Sequence, residues 1–197
     1  PILSTFNLEN FLDNTENIFI KKLNPVYKAI EITRKNLEKK KSLIAFIGAP
    51  WTLLIYMLQI KESKLNINYN KIKDSNLDID LVLNNLINYL CLHIDNQINA
   101  GADVVQIFDS WAGLIPLKDL ERLCIIPNLK IVEFCKKKKI PCICFPKGIG
   151  KNYEKFNKIV KSDGLNIDYE INPSWAKEKL KNTVIQGGLN PKFLLSS

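Results

Sequence analysis

The apolar positions of the chain fall into short unbroken runs separated by longer stretches of helical period. Residues 42–47 (SLIAFI) form one such run, closed by Gly48 and Pro50. A run that is apolar on both faces is the pattern of a strand fully buried in a parallel sheet. Four more occupy 102–108 (ADVVQIF), 141–145 (PCICF), 165–168 (LNID) and 183–187 (TVIQG).

Between these runs the period lengthens. In the polar stretch from 14 to 40, Val26, Ile30, Thr33 and Leu37 recur at three and four residues, which predicts a helix after Pro25 that ends in the lysine run 39–41. Thr52 is placed to cap a helix containing Leu53, Leu54, Tyr56, Met57 and Leu58. Residues 61–73 are polar enough to be a loop or a helix fragment. A long helix then starts at Asp74 or Ser75. Its apolar set runs from Ile79 through Val82, Leu86, Leu90 and Ile94 to Ile98, and Gly101 follows where a left-handed cap is wanted. Further helices are expected within 117–138, where Pro127 is a potential break, near 152–163 ending at Gly164, and from Pro173 to Leu180.

This alternation predicts an α/β fold with about five parallel strands and helices packed outside them. Parallel neighbours need right-handed crossovers, which leaves an open doubly wound sheet or an arc of a (β/α)8 TIM barrel. The turn after the first strand, GAPWT (48–52), lacks the glycine spacing that lets a backbone cradle a pyrophosphate, and KGIGKN (147–152) has two of the three glycines. A nucleotide fold is disfavoured. A partial barrel is the better reading.

Length and composition narrow this further. A chain of 197 residues suffices for one cored domain or for part of a larger one. It opens at Pro1 and stops at NPKFLLSS without a charged tail. The expectation is that residues 1–197 are the internal part of a single barrel domain, with N- and C-terminal portions missing. The net charge of +8 invites a nucleic-acid partner, yet only Arg34 and Arg122 are arginines, and recognition of phosphates and base edges favours the bidentate guanidinium. The lysines are spread over helix ends and loops, so a solvated basic surface is expected and no nucleic-acid partner. The five cysteines, an odd number, lie mostly in apolar runs, which fits buried thiols in a reducing, cytoplasmic compartment. No stretch approaches the roughly 20 apolar residues of a membrane span, so no membrane partner is expected.

In such barrels chemistry collects where strands end at the carboxyl face. The residues there are Pro50, Trp51, Thr52 and Tyr56; Asp109, Ser110 and Trp111; Lys147; Asp168 and Tyr169; Gln186 and Asn190. Tyr56, read as lying in the first turn of its helix, either reaches over the barrel mouth or is a core aromatic, which periodicity alone favours. Asp109 and Ser110 either cap the next turn or present a carboxylate and a hydroxyl to substrate, and the small Ala112 and Gly113 favour close ligand approach. His93, the only histidine, sits mid-helix and reads as structural or surface. Cys142 and Cys144 share one strand face without a further ligand cluster, so they read as core and not as a metal site.

The segments FIGAPWTLLIYM (46–57), AGADVVQIFDSWAG (100–113), FPKG (145–148), GLNIDYEI (164–171) and QGGLNP (186–191), in this order, resemble the uroporphyrinogen decarboxylase family from about residue 25 to the C-terminus. The resemblance implies a distorted (β/α)8 barrel, usually a homodimer, that removes carbon dioxide from the four acetate arms of uroporphyrinogen III without metal or organic cofactor. It implies Tyr56 as the active-site tyrosine, catalytic and substrate-binding, and Ser110 as the hydroxyl that binds a substrate carboxylate. The family's arginine-rich motif, its pyrrole-gathering aspartate and its late histidine match nothing in these 197 residues, so the segment alone is expected to be inactive and poorly soluble. QIKESK (59–64) stands where the family usually has glycines, which puts that loop's shape in doubt. Corrinoid-linked methyltransferases are the alternative within the superfamily. Their zinc-binding His-x-Cys-Gly would fall where this chain reads FPKG. A basic nucleic-acid-binding module is the non-enzyme alternative.

Overall fold

The computed structural model describes residue 11 and residues 15–63 and 66–195. The start of the polar stretch at residue 14, two loop residues and both ends of the expected domain lie outside these. Helix α1 is Glu16–Asn36, β1 is Ile44–Gly48, α2 is Pro50–Leu58, α3 is Tyr69–Asp74 and α4 is Ile79–Asn99. The next are β2 at Val104–Asp109, α5 at Ile126–Lys138, β3 at Cys142–Pro146, α6 at Tyr153–Val160, β4 at Gly164–Ile167, α7 at Pro173–Lys179 and β5 at Val184–Gly187.

All neighbouring strands pair in parallel, and their order in the sheet is β1-β2-β3-β4-β5. A doubly wound sheet reverses direction at a switch point. A strictly sequential order does not, so this sheet is wound in one sense and is an arc of a (β/α)8 barrel.

One face of the arc carries the core. Ala45, Ile47, Val105, Ile107, Cys142, Cys144, Leu165 and Ile167 are buried, and the helices contribute Leu54, Val82, Ile94, Ile131 and Phe156 to the same cluster. On the opposite face β1 is open among the described residues: Ile44 and Phe46 are 45% and 67% exposed, whereas Gln106, in register with Phe46 on β2, is buried. The expectation of strands buried on both faces is therefore corrected for β5, whose four residues are all exposed, and for β1. The alternate side chains of β1 face the concave side of the arc, which no described element covers.

Several element boundaries differ from the sequence reading for local reasons. Helix α1 runs through Pro25; the proline lies on an exposed stretch of the helix, where water can satisfy the carbonyl it leaves unpaired. Helix α2 begins with Pro50 at its first position and Ala49 as the capping residue, an arrangement that uses the proline's missing N–H at no cost. Thr52 is thus inside the helix, not its cap. The true cap of α4 is Asp78, whose carboxylate accepts from Leu81 N at 3.0 Å, while Asn68 caps the separate α3. Pro127 does not break its helix: a π-helical turn at Glu121–Ile125 runs continuously into α5 and absorbs the proline in its first turn. Helix α6 closes at Lys161, whose φ is 52°, and Gly164 instead opens β4. Gly101, with φ of 110°, does occupy the left-handed position after α4.

Candidate active site

The carboxyl end of the sheet is organised by a short chain of buried polar contacts. Thr52 Oγ1 donates to Asp109 Oδ1 at 2.8 Å and accepts from Trp111 N at 3.4 Å, and Asn128 Nδ2 donates to Asp109 Oδ2 at 3.3 Å. Asp109 is buried, and burial pushes its carboxyl up to about 6 against the lowering effect of these hydrogen bonds. Asp109 is therefore neither a helix cap nor a group presented to ligand, in correction of both sequence alternatives. It ties the start of α2 to the end of β2 and to α5.

A second tie joins the next two loops. Asp168 Oδ2 accepts from Gly148 N at 2.7 Å and from the buried Tyr153 hydroxyl at 3.1 Å. Gly113 N donates to Lys147 O at 2.8 Å. A Cβ on Gly113 would lie 2.6 Å from Gly148 O. Gly113 of DSWAG thus serves the contact between the β2 and β3 loops.

With these groups committed to structure, the accessible part of the rim is small. Tyr56 lies in the second turn of α2, not the first, and is 52% exposed. Its side chain is not part of the core. Tyr56, Ser110, Phe46, Phe108, Leu53 and Gly48 line one open concavity of about 470 Å³. Among the described residues neither the Tyr56 phenol nor the Ser110 hydroxyl has a hydrogen-bond partner. Pro50, Trp51 and Thr52 are buried, whereas Lys147, Tyr169 and Gln186 are exposed and do not line this concavity. Asn190 caps the last turn by accepting from Lys192 N at 3.0 Å.

Two features were missed in the sequence. The first is a row of phenyl rings on the concave face: Phe46 meets Phe108 edge-on at 6.0 Å, and Phe108 meets Phe145 edge-on at 6.2 Å. The row is legible in principle, because Phe46, Phe108 and Phe145 each stand two positions from a neighbour pointing the same way. The second is the set of contacts made by Trp111, a residue read at the rim but without partners. Its ring meets Tyr56 edge-on at 6.3 Å and carries the Lys61 ammonium 4.0 Å from its centroid. Its indole nitrogen is buried without a hydrogen-bond partner among the described residues, a condition that costs about 1–3 kcal/mol. No sequence signal places a lysine of the 61–67 segment there.

A model of the family described as uroporphyrinogen decarboxylase (URO-D) matches residues 2–197. The chain belongs to this family. Among curated relatives it is 44% identical over 180 residues to a uroporphyrinogen decarboxylase of Orientia tsutsugamushi (strain Boryong), an alignment covering 89% of this chain and 52% of the relative. It is 36% identical over 204 residues to that of Rickettsia bellii (100% and 59%). It is 34% identical over 183 residues to that of Cereibacter sphaeroides (88% and 52%). The chain spans a little over half the length of these family members.

The remaining groups fall away from the concavity. His93 accepts from the Gln97 amide through Nε2 at 2.6 Å, so its ring proton sits on Nδ1, 3.0 Å from Tyr27 Oη. Burial lowers its pKa to about 4. It is a structural histidine between α1 and α4. Cys142 and Cys144 are buried in the core as expected. Arg34 bonds Asp103 and the carbonyls of Leu37, Glu38 and Lys41, and Arg122 pairs with Asp80 at 2.9 Å. Both arginines thus serve the outside of the arc. Among the described residues no group of three His, Cys, Asp or Glu side chains is disposed to hold a metal ion, and no helix is long and apolar enough to cross a membrane.

Proposed function

We propose that the protein removes carbon dioxide from the acetate side chains of uroporphyrinogen III to yield coproporphyrinogen III, with Tyr56 and Ser110 facing the substrate. The observation that carries this reading is the pairing of two uncommitted hydroxyls, Tyr56 and Ser110, on one concavity floored by Phe46 and Phe108. A macrocycle of pyrroles offers apolar faces, and its rim offers carboxylates. A phenyl floor suits the first and hydroxyl donors suit the second.

The chemistry asks little of the protein beyond placement. Once a pyrrole carbon is protonated the ring accepts an electron pair. The bond between the acetate methylene and its carboxylate then breaks, its pair enters the ring and carbon dioxide leaves; the exocyclic carbon takes up a proton to become methyl, and the ring carbon gives up the proton it had gained, restoring the neutral pyrrole. Groups that orient the ring and hold the carboxylates out of water lower this barrier. In this reading Tyr56 donates a hydrogen bond beside the reacting acetate and Ser110 holds a carboxylate. The residues belong to one barrel domain that works as a homodimer in the cytoplasm, without metal or organic cofactor.

The test is decarboxylation of uroporphyrinogen III by protein made from the complete reading frame. Tyr56→Phe and Ser110→Ala are each expected to lower kcat/KM by about tenfold or more, the loss of one hydrogen bond to a charged group. Unchanged turnover in both variants overturns the site assignment.

A further inference from the structure

We infer that Lys61 is a substrate-orienting cation at the edge of the candidate site, recruited to bind a carboxylate of the incoming ligand. This deepens the decarboxylase reading above and rests on it. The inference rests on where Lys61 stands and not on its lacking an ion pair, which it shares with most of the described lysines. Its ammonium is held over the Trp111 ring at 4.0 Å, and that ring meets Tyr56 at 6.3 Å. The cation is therefore no farther from the Tyr56 ring than these two spacings combined.

The local backbone explains how the lysine reaches this position. Gln59 ends α2 with a φ of 53°, which turns the chain sharply, and Ile60 is fully buried. Lys61 then pairs antiparallel with Ile67. Buried Ile60 and Ile67 anchor this turn, so the exposed Lys61 stem projects back across Trp111. A glycine at position 61 would leave the ring uncovered and the corner uncharged. An exposed ammonium held in place over Trp111, whose ring meets Tyr56, suits an anion. Beside a hydroxyl pair and a phenyl floor, the anion it suits is a carboxylate on an otherwise apolar ring system.

The inference is tested on protein from the complete reading frame with Lys61→Ala and Lys61→Arg. Lys61→Ala is expected to raise KM for uroporphyrinogen III about five- to tenfold with kcat within twofold, a loss of uniform binding and not of transition-state binding. Lys61→Arg keeps the charge and the stacking and is expected to restore KM to within about twofold. The Lys61→Ala penalty should also shrink as salt is raised from 0.05 to about 0.5 M, because screening removes the same attraction from the unmutated protein. Calorimetric titration with uroporphyrin, an unreactive octacarboxylate, should show the same five- to tenfold weakening in Lys61→Ala. Unchanged KM and unchanged uroporphyrin affinity in Lys61→Ala overturn the inference, as does an equal loss in Lys61→Arg, which would make the lysine a packing element. Absence of uroporphyrinogen turnover by the unmutated protein overturns the decarboxylase reading and this inference with it. Turnover with an indifferent Lys61 overturns the inference alone.

Discussion

Thr52 donates its hydroxyl to the buried carboxylate of Asp109 across 2.8 Å. The contact joins the first helix after β1 to the last residue of β2, one residue before Ser110 and four residues before Tyr56. The position of both candidate site hydroxyls thus depends on a hydrogen bond that neither of them makes.

This bond gives a prediction with a defined pH window. Burial raises the Asp109 pKa to about 6, above its unfolded value near 4. The folded protein therefore binds the proton more tightly than the unfolded chain. The stabilisation from this group is fully present below about pH 4 and is lost as the pH rises through about 6. Thr52→Val removes one of the donors that favour the ionised form. It should cost about 1–3 kcal/mol at pH 7 and measurably less at pH 4.5, where the carboxyl is protonated. Urea unfolding at the two pH values is the measurement. A cost that is the same at both would show that the carboxylate is not charged in the fold at neutral pH.

How much of this was legible in the sequence follows from which interactions are local. The five strands and the barrel arc were readable because each strand announces itself by a continuous apolar run, and Gly101 was readable because a helix end asks for a left-handed residue. The roles of Thr52, Asp109 and Gly113 were not. Thr52 and Asp109 lie 57 positions apart in the chain, and nothing near either one distinguishes a cap from a cross-strand tie. Gly113 looked like room for a ligand because its contact, Gly148, lies in another loop. The exposure of Phe46 could not be read either: a strand apolar on both faces looks the same whether its second face meets a helix or the barrel interior.

The histidine tests the opposite sign of pH dependence. His93 is held neutral between Gln97 and Tyr27, with its pKa lowered to about 4 by burial. The unfolded chain protonates near 6.5, so between these values the unfolded state binds the extra proton. The stability that this group confers is fully present above about pH 6.5 and is lost as the pH falls through about 4. His93→Gln, which cannot titrate, should flatten the thermal unfolding midpoint between pH 6.5 and 4.5 relative to the unmutated protein. Catalytic readings of His93 predict instead a change in the pH profile of kcat, which this assignment does not.

The closest test of how the loops are locked is a pair of glycine substitutions. A Cβ on Gly113 would stand 2.6 Å from Gly148 O and 2.8 Å from its carbonyl carbon and Cα, all backbone atoms that no side-chain rotation can move aside. Gly113→Ala must therefore push the β2 loop from the β3 loop and break the Gly113 N to Lys147 O bond of 2.8 Å. Gly150 is the matched control: its φ of 57° disfavours a side chain, but an added Cβ there meets nothing within 4 Å. Gly150→Ala should then cost only the left-handed penalty, about 1–2 kcal/mol. Gly113→Ala should cost clearly more, in the range of about 3 kcal/mol that overpacking of a closed contact reaches. Because Ser110 lies on the displaced loop, Gly113→Ala should also lower kcat/KM in the decarboxylase assay, while Gly150→Ala leaves it within about twofold. Equal stability losses in the two variants would mean that the β2 and β3 loops are free to separate. Ser110 would then not be held at a fixed distance from Tyr56.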